Sequence, residues 1–118
     1  MSLPSPIPPP LVAMIAARFR LLGEPMRVRA LDHLREHGEA SVGELADALG
    51  TSQQNVSKHL GALHGGGVVG KRRDGNRVIY WIADETVIAI CEAVCGSIER
   101  QAEELSAAVA GVSGGAAR

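Results

Sequence analysis

The stretch GGGVVGKR contains Gly65, Gly70 and Lys71 at the spacing of the loop that cradles the phosphates of a nucleoside triphosphate. Such a loop follows a strand, precedes a helix and ends in a Ser or Thr that binds magnesium. Here the glycines follow a helical pattern and precede a strand-like one, and Arg72 stands where the hydroxyl is required. The spacing is therefore accidental, and the glycines are predicted to end a helix.

Two other pairs of residues have metal-ligating types at one-turn spacing. Cys91 and Cys95 are four residues apart, so a helix would place both thiols on one face, where they could bind zinc, copper or arsenite or respond to oxidation. Cysteine also packs as a small hydrophobe, so a core role for this pair stays open. His33 and His37 have the same spacing and could chelate nickel, zinc or copper, or lie on the surface without a metal.

The composition of the 118-residue chain favours one small, mostly helical domain, because aromatic residues make up only 3% of it. The formal net charge is -1, yet residues 53–82 hold five basic side chains against the single acid Asp74. No apolar stretch is long enough to span a bilayer, and we expect a cytoplasmic protein without a membrane partner. Motifs of nucleophilic, metal-dependent or phosphate-transfer catalysis are not found, so no enzymatic activity is expected.

Periodicity and capping residues predict the element order α-α-α-α-β-β-α, a mainly α fold with a β-hairpin wing. Residues 1–10 are predicted to form a disordered Pro-rich arm, residues 11–110 the folded domain, and residues 111–118 a flexible tail. Ser41 and Glu44 have capping-box spacing at the start of a short third helix. The turn sequence Asp74-Gly75-Asn76 predicts the hairpin.

A short helix, a tight turn, a second helix with a polar face and a basic hairpin together describe a winged helix-turn-helix. Amide and hydroxyl side chains near the start of the second helix suit base edges, and basic side chains suit phosphates. Asn55 and His59 could instead face the turn or the neighbouring helix. The predicted DNA-binding residues are Gln53, Gln54, Ser57, Lys58, His59, Arg72, Arg73 and Arg77.

Three segments in this order resemble the ArsR/SmtB family of bacterial winged-helix repressors: LGEPMRVRALDHL, SVGELADALGTSQQNVSKHLGALHGGGVV and KRRDGNRVIYWIAD. The resemblance covers residues 11–100. It implies a homodimer joined through the first and last helices, an inverted-repeat operator in double-stranded DNA, and control by metal or thiol chemistry. Exposed apolar stripes on the first and last helices would fit such a dimer.

The metal sites usual in this family are not matched by the residues of this chain. In the family's last-helix site, Asp84 is kept, but Thr86, Ser97 and Arg100 replace the other ligands. Thr and Ser are poor ligands and Arg repels a cation. The Cys-x-Cys pattern of the second family site is missing from SVGELAD. A transition-metal ion or arsenite would therefore depend on Cys91, Cys95, His33 and His37.

Two further hypotheses about function remain beside an effector-controlled DNA-binding regulator. The chain could be a winged-helix module that binds DNA tightly only with a second protein, a co-regulator. It could also be a regulator that responds to thiol oxidation.

Overall fold

The computed structural model describes residues 2–116, which contain five helices and three strands. In chain order these are α1 (Pro9–Leu22), α2 (Pro25–His37), β1 (Glu39–Ser41), α3 (Val42–Leu49), α4 (Gln53–Gly65), β2 (Val69–Asp74), β3 (Arg77–Ile82) and α5 (Thr86–Ala116). The chain divides between Glu85 and Thr86 into two compact units, the second of which contains α5. The winged helix-turn-helix predicted from the sequence is confirmed.

The first two helices begin at proline residues, whose fixed φ suits the first helical turn. Helix α1 begins at Pro9, so the last two residues of the predicted arm are helical. Helix α2 begins at Pro25, and the Glu24 carboxylate caps it by accepting a hydrogen bond from the backbone N–H of Arg27 at 3.1 Å. Helix α2 is followed by Gly38, whose positive φ of +84° is a conformation that glycine adopts without strain.

Capping residues define the ends of the two helices of the helix-turn-helix. Ser41 and Glu44 form the predicted capping box, since each side chain accepts a hydrogen bond from the other's backbone N–H at 3.1 Å. Helix α3 ends at Gly50 in the left-handed conformation, and Ser52 then caps α4. The end of α3 and the start of α4 are thus set by local backbone conformation and hydrogen bonds.

The three strands form one antiparallel sheet in the order β1-β3-β2. Strands β2 and β3 are the predicted hairpin, and Gly75 takes a positive φ in its turn. Strand β1 was not predicted, because its three residues carry no alternating pattern and form a strand only by pairing with β3. The predicted element order therefore lacks strand β1 between α2 and α3.

The core of the first unit is built mainly from the leucine and valine side chains of α2, α3, α4 and β2. These side chains are buried almost completely: Leu31, Leu34, Leu45, Val56, Leu60, Leu63, Val68 and Val69. Burial of this apolar surface orients the three central helices, and it leaves the opposite side of α4 to solvent.

Helix α5 is longer than the sequence predicted. The tail was expected to begin at residue 111, but the helix continues through Ala116, and residues 117–118 lie outside the described part of the chain. Alanine is the best helix former, and the alanines here offset the cost of the interspersed glycines. In the described residues, no helix is both long and apolar enough to cross a membrane.

Candidate nucleic-acid interface

The first two turns of α4 present a row of polar side chains to solvent. Gln53, Gln54, Ser57 and Lys58 are all exposed, whereas Val56 on the same helix is buried. Two amides, a hydroxyl and an ammonium group therefore stand together on one exposed surface. Side chains of these types can donate to and accept from base edges in a major groove, and the ammonium can neutralise a phosphate.

Asn55 does not belong to this exposed row. Its backbone N–H donates to the Ser52 hydroxyl at 3.0 Å, and its side-chain amide donates to the Thr51 hydroxyl at 3.1 Å. Asn55 thus stabilises the turn before α4, the alternative to base contact that the sequence left open.

The wing carries four exposed basic side chains. Lys71, Arg72 and Arg73 lie on β2, and Arg77 begins β3 on the other side of the turn. Together with Lys58 they are the five basic residues of the segment 53–82. Helix and wing therefore form the basic part of a chain whose net charge is slightly negative.

An open groove of about 420 Å³ lies between the start of α3, the start of α4 and the tip of the wing. Gln53 and Ser57 line it from the helix, and Asn76 and Arg77 line it from the hairpin. Gly43 lines the α3 side of the groove, and a Cβ atom added there would lie 3.6 Å from the Gln53 amide nitrogen, an ordinary van der Waals contact. Three of the predicted DNA-binding residues, Gln53, Ser57 and Arg77, thus border one common groove, and the others are not among its lining residues.

Two of the wing arginines are paired with carboxylates of the same chain. Arg72 donates to both oxygens of Glu39, at 2.8 and 2.9 Å, and its guanidinium lies 5.6 Å from the centre of the Trp81 ring. The hydrogen bond from Arg72 lowers the pKa of Glu39. Arg77 donates to Glu44, the carboxylate of the α3 capping box.

The remaining wing cations have no such pairing. Among the described residues, neither Lys71 nor Arg73 forms an ion pair with a carboxylate. Sequence reasoning missed the two arginine–glutamate pairs, because the partners in each pair are 33 residues apart. The four wing cations are therefore not equivalent in the DNA-free protein.

His59 does not share the exposure of the other predicted DNA-binding residues of α4. Only 11% of its side chain is exposed, and its Nδ1 atom accepts a hydrogen bond from Arg27 Nε at 3.3 Å. The ring is turned toward the start of α2, away from Ser57 and Lys58. The reason is geometric, since residue 59 lies on the edge of the buried face of α4, where Arg27 supplies a partner.

The two candidate cysteines lie on α5, where Cys91 is partly exposed and Cys95 is exposed. The Cys95 thiol donates a hydrogen bond to the Glu99 carboxylate at 3.5 Å. This hydrogen bond, with the negative charge of Glu99, raises the pKa of Cys95. The thiol form is thereby favoured over the thiolate that ligates metals.

The two candidate histidines stack against each other on α2. The ring centres of His33 and His37 are 4.0 Å apart and the ring planes differ by 17°, while His37 Nδ1 lies 2.9 Å from the His33 carbonyl oxygen. Nearly parallel rings direct their nitrogen lone pairs side by side and not toward one ion. Across the described part of the chain, no three His, Cys, Asp or Glu side chains are grouped as a metal site.

The architecture and the exposed polar helix define this chain as a winged helix-turn-helix protein. A helix-turn-helix domain model matches residues 22–71. The uncharacterized HTH-type transcriptional regulator Rv0081 of Mycobacterium tuberculosis is 45% identical over 75 residues, which cover 63% of this chain and 65% of that protein. The HTH-type transcriptional repressor SmtB of the same organism is 42% identical over 81 residues, covering 67% of this chain and 59% of SmtB.

Solved structures agree with this class. The crystal structure of M. tuberculosis Rv0081 superposes with a TM-score of 0.73 at 36% identity, covering 82% of this chain and 97% of that one. The homodimeric winged helix-turn-helix DNA-binding domain of Mb0332 from Mycobacterium bovis, a possible ArsR-family transcriptional regulator, gives a TM-score of 0.67 at 34% identity, with 75% and 82% coverage. The chain belongs to the ArsR/SmtB family of winged-helix transcriptional regulators.

Proposed function

We propose that this chain is a dimeric, sequence-specific DNA-binding transcriptional regulator that acts in the cytoplasm. The observation that carries the proposal is the common groove, because it is bordered both by Gln53 and Ser57 of α4, whose side chains suit base edges, and by the basic side chain of Arg77 on the wing. In this arrangement α4 enters a major groove, and the wing contacts the adjoining backbone.

The α4 residues and the wing residues are assigned different roles in DNA binding. Gln53, Gln54 and Ser57 are proposed to read base edges, because amides and hydroxyls can satisfy the donor and acceptor pattern of the major groove. Lys58 and the wing cations are proposed to neutralise phosphates, which positions the protein without specifying a sequence. These include Lys71 and the candidates Arg72, Arg73 and Arg77.

The dimer is proposed to form through α1 and α5, each of which exposes large apolar side chains. On α1, Met14 is 69% exposed and Phe19 is 57% exposed. On α5, Ile98 and Leu105 are likewise exposed. Burying such side chains in a two-fold interface would stabilise a dimer, and its two α4 helices could then reach half-sites of an inverted repeat about one DNA turn apart.

The test is fluorescence anisotropy of the full chain on the DNA upstream of its own gene, compared with a scrambled duplex at several salt concentrations. Lys58→Ala should weaken binding and lower the slope of log affinity against log salt by about 1, since one phosphate contact is lost. The matched control is Arg29→Ala, which removes a cation from an exposed position on α2. Equal binding to both duplexes, or indifference to Lys58→Ala, contradicts the proposal and favours a module that depends on a co-regulator.

A second proposal is that an effector acts through Cys91 and Cys95. Both thiols are at least partly accessible and lie one helical turn apart, which suits a soft ion such as zinc, copper(I) or arsenite, or an oxidant. The stacked His33 and His37 are the weaker candidates for nickel, zinc or copper, because their lone pairs do not converge.

The effector is tested by repeating the anisotropy titration with each metal ion, with arsenite and with a mild oxidant, after treatment with chelator and reductant. One agent should change operator affinity by about 5- to 150-fold, the range typical of coupled sites. Cys91→Ser with Cys95→Ser should abolish the response, while His33→Gln with His37→Gln should keep it. A response that survives the cysteine changes contradicts this assignment.

A further inference from the structure

His59 follows Lys58 on α4, but its side chain contacts residues at the start of α2. Its neighbours Ser57 and Lys58 are exposed, whereas 89% of the His59 side chain is covered. The ring thus belongs neither to the exposed polar row nor to the apolar core residues such as Leu60. A polar group in such a position is held by its hydrogen-bond partners.

The partner of His59 is Arg27, whose guanidinium joins three helices. Arg27 Nε donates to His59 Nδ1 at 3.3 Å, and Arg27 Nη1 donates to the backbone carbonyl of Leu21 at 3.2 Å. Leu21 lies in the last turn of α1, where carbonyl groups have no partner within the helix. One side chain on α2 therefore fixes the end of α1 and the middle of α4.

Glu24 completes the cluster at the start of α2. Its Oε2 atom accepts from the Arg27 backbone N–H at 3.1 Å and lies 3.6 Å from His59 Nδ1. His59 Nδ1 thus lies between the Arg27 guanidinium, which donates to it, and the Glu24 carboxylate. The contact with Arg27 is directional, so it adds an angular restraint on α4 to the orientation already given by the burial of Val56, Leu60 and Leu63.

We infer that His59 is a positioning residue for DNA binding: it touches no DNA but, through Arg27, seats α4 against the junction of α1 and α2. The inference rests on the proposed function, since its consequence is the angle at which Ser57 and Lys58 meet DNA. A small rotation of α4 displaces these side chains from base edges and phosphates, even though the helix stays folded. The same link joins the end of α1, a proposed dimer helix, to the helix that reads DNA.

The experiment compares His59→Leu, His59→Asn and the matched control His64→Leu by operator anisotropy across a salt series, with thermal unfolding of each variant. His64 is an exposed residue near the end of the same helix. His59→Leu should weaken operator binding by about three- to tenfold, the worth of one directed hydrogen bond, with an unchanged salt slope. His59→Asn should restore most of the affinity, because its Oδ1 atom occupies the place of Nδ1 as an acceptor.

Arg27→Lys provides a second route to the same test. A lysine keeps the positive charge, but its one nitrogen cannot take the positions of both Nε and Nη1, from which Arg27 donates to His59 and Leu21. It should weaken binding as His59→Leu does, and combining the two changes should add little further loss, because both break one link.

The outcomes separate the alternatives. Unchanged affinity in His59→Leu, or equal loss of affinity and unfolding temperature in His59→Leu and His59→Asn, overturns the positioning role. A salt slope lowered as in Lys58→Ala would instead mean that His59 contacts a phosphate. If the wild-type chain binds no specific DNA, the proposed function itself fails and this inference fails with it.

Discussion

Arg72 and Glu39 form a two-bond ion pair that reaches across the central strand of the sheet, with donor–acceptor distances of 2.8 and 2.9 Å. Arg72 lies on β2 and Glu39 on β1, while the ring of Trp81 on the intervening β3 lies 5.6 Å from the guanidinium. A cation predicted to bind phosphate is thus already occupied in the DNA-free protein. Phosphate therefore competes with Glu39 for the two guanidinium nitrogens of Arg72 that the carboxylate already engages.

Glu39→Gln should therefore tighten operator binding. Releasing Arg72 from this exposed ion pair should raise affinity by up to about fivefold and steepen the salt dependence. The measurement is anisotropy at several salt concentrations. Glu36→Gln, which removes the same charge from an exposed position on α2, is the control; an equal gain in both variants would mean that net charge alone is responsible.

The paired glutamates also predict a loss of stability in acid. Hydrogen bonds from Arg72 lower the pKa of Glu39, and hydrogen bonds from Ser41, with the charge of Arg77, lower that of Glu44 below the usual 4.5. Because these pKa values are depressed in the folded state, the stabilisation is complete above the unfolded pKa and is lost as pH falls through the folded one. Thermal unfolding should thus show a falling midpoint from about pH 5 downward.

Glu39→Gln with Glu44→Gln is the variant that checks this assignment. Its unfolding midpoint should be lower than that of the wild type near neutral pH, and the two midpoints should converge in acid. Parallel curves over the whole pH range would show that other carboxylates cause the acid loss.

The Cys95–Glu99 hydrogen bond predicts that the Cys95 thiol is alkylated slowly. Since Glu99 raises the pKa of Cys95, the reactive thiolate is a smaller fraction at neutral pH, and Glu99→Gln should increase it. Alkylation by iodoacetamide, followed by mass spectrometry in a Cys91→Ser background, should become faster in Glu99→Gln. Glu103→Gln is the control on the same helix and should leave the rate unchanged.

Much of the fold could be predicted from local sequence, because its helix ends and hairpin turn are encoded by single residues. Pro25, Ser41, Gly50 and Gly75 act through their own backbone preferences or through partners three residues away. Strand β1 could not be predicted in this way. Its pairing is set by β3, which is distant in sequence, and three residues are too few to show a pattern.

The sequence predicted which residues of α4 are exposed, but not which long-range partners the polar side chains bind. The positions of Gln53, Gln54, Ser57 and Lys58 on the exposed side of α4 follow from the helical period. The direction of His59 does not, because it depends on Arg27, 32 residues earlier. Long-range partners of this kind decide which polar residues face solvent and which join helices.

The last prediction concerns the difference between adjacent wing arginines. Arg73 is exposed and forms no ion pair within the described residues, whereas Arg72 is held by Glu39 and Trp81. If phosphate contact follows availability, Arg73→Ala should lower the salt slope of operator binding by about 1, and Arg72→Ala should lower it less. Arg72→Ala in a Glu39→Gln background should then show the full decrease, since the released arginine has become a phosphate ligand. Equal slopes for Arg72→Ala and Arg73→Ala in the wild-type background would mean that DNA breaks the Glu39 pair at little cost, and that the pair does not control which cations bind.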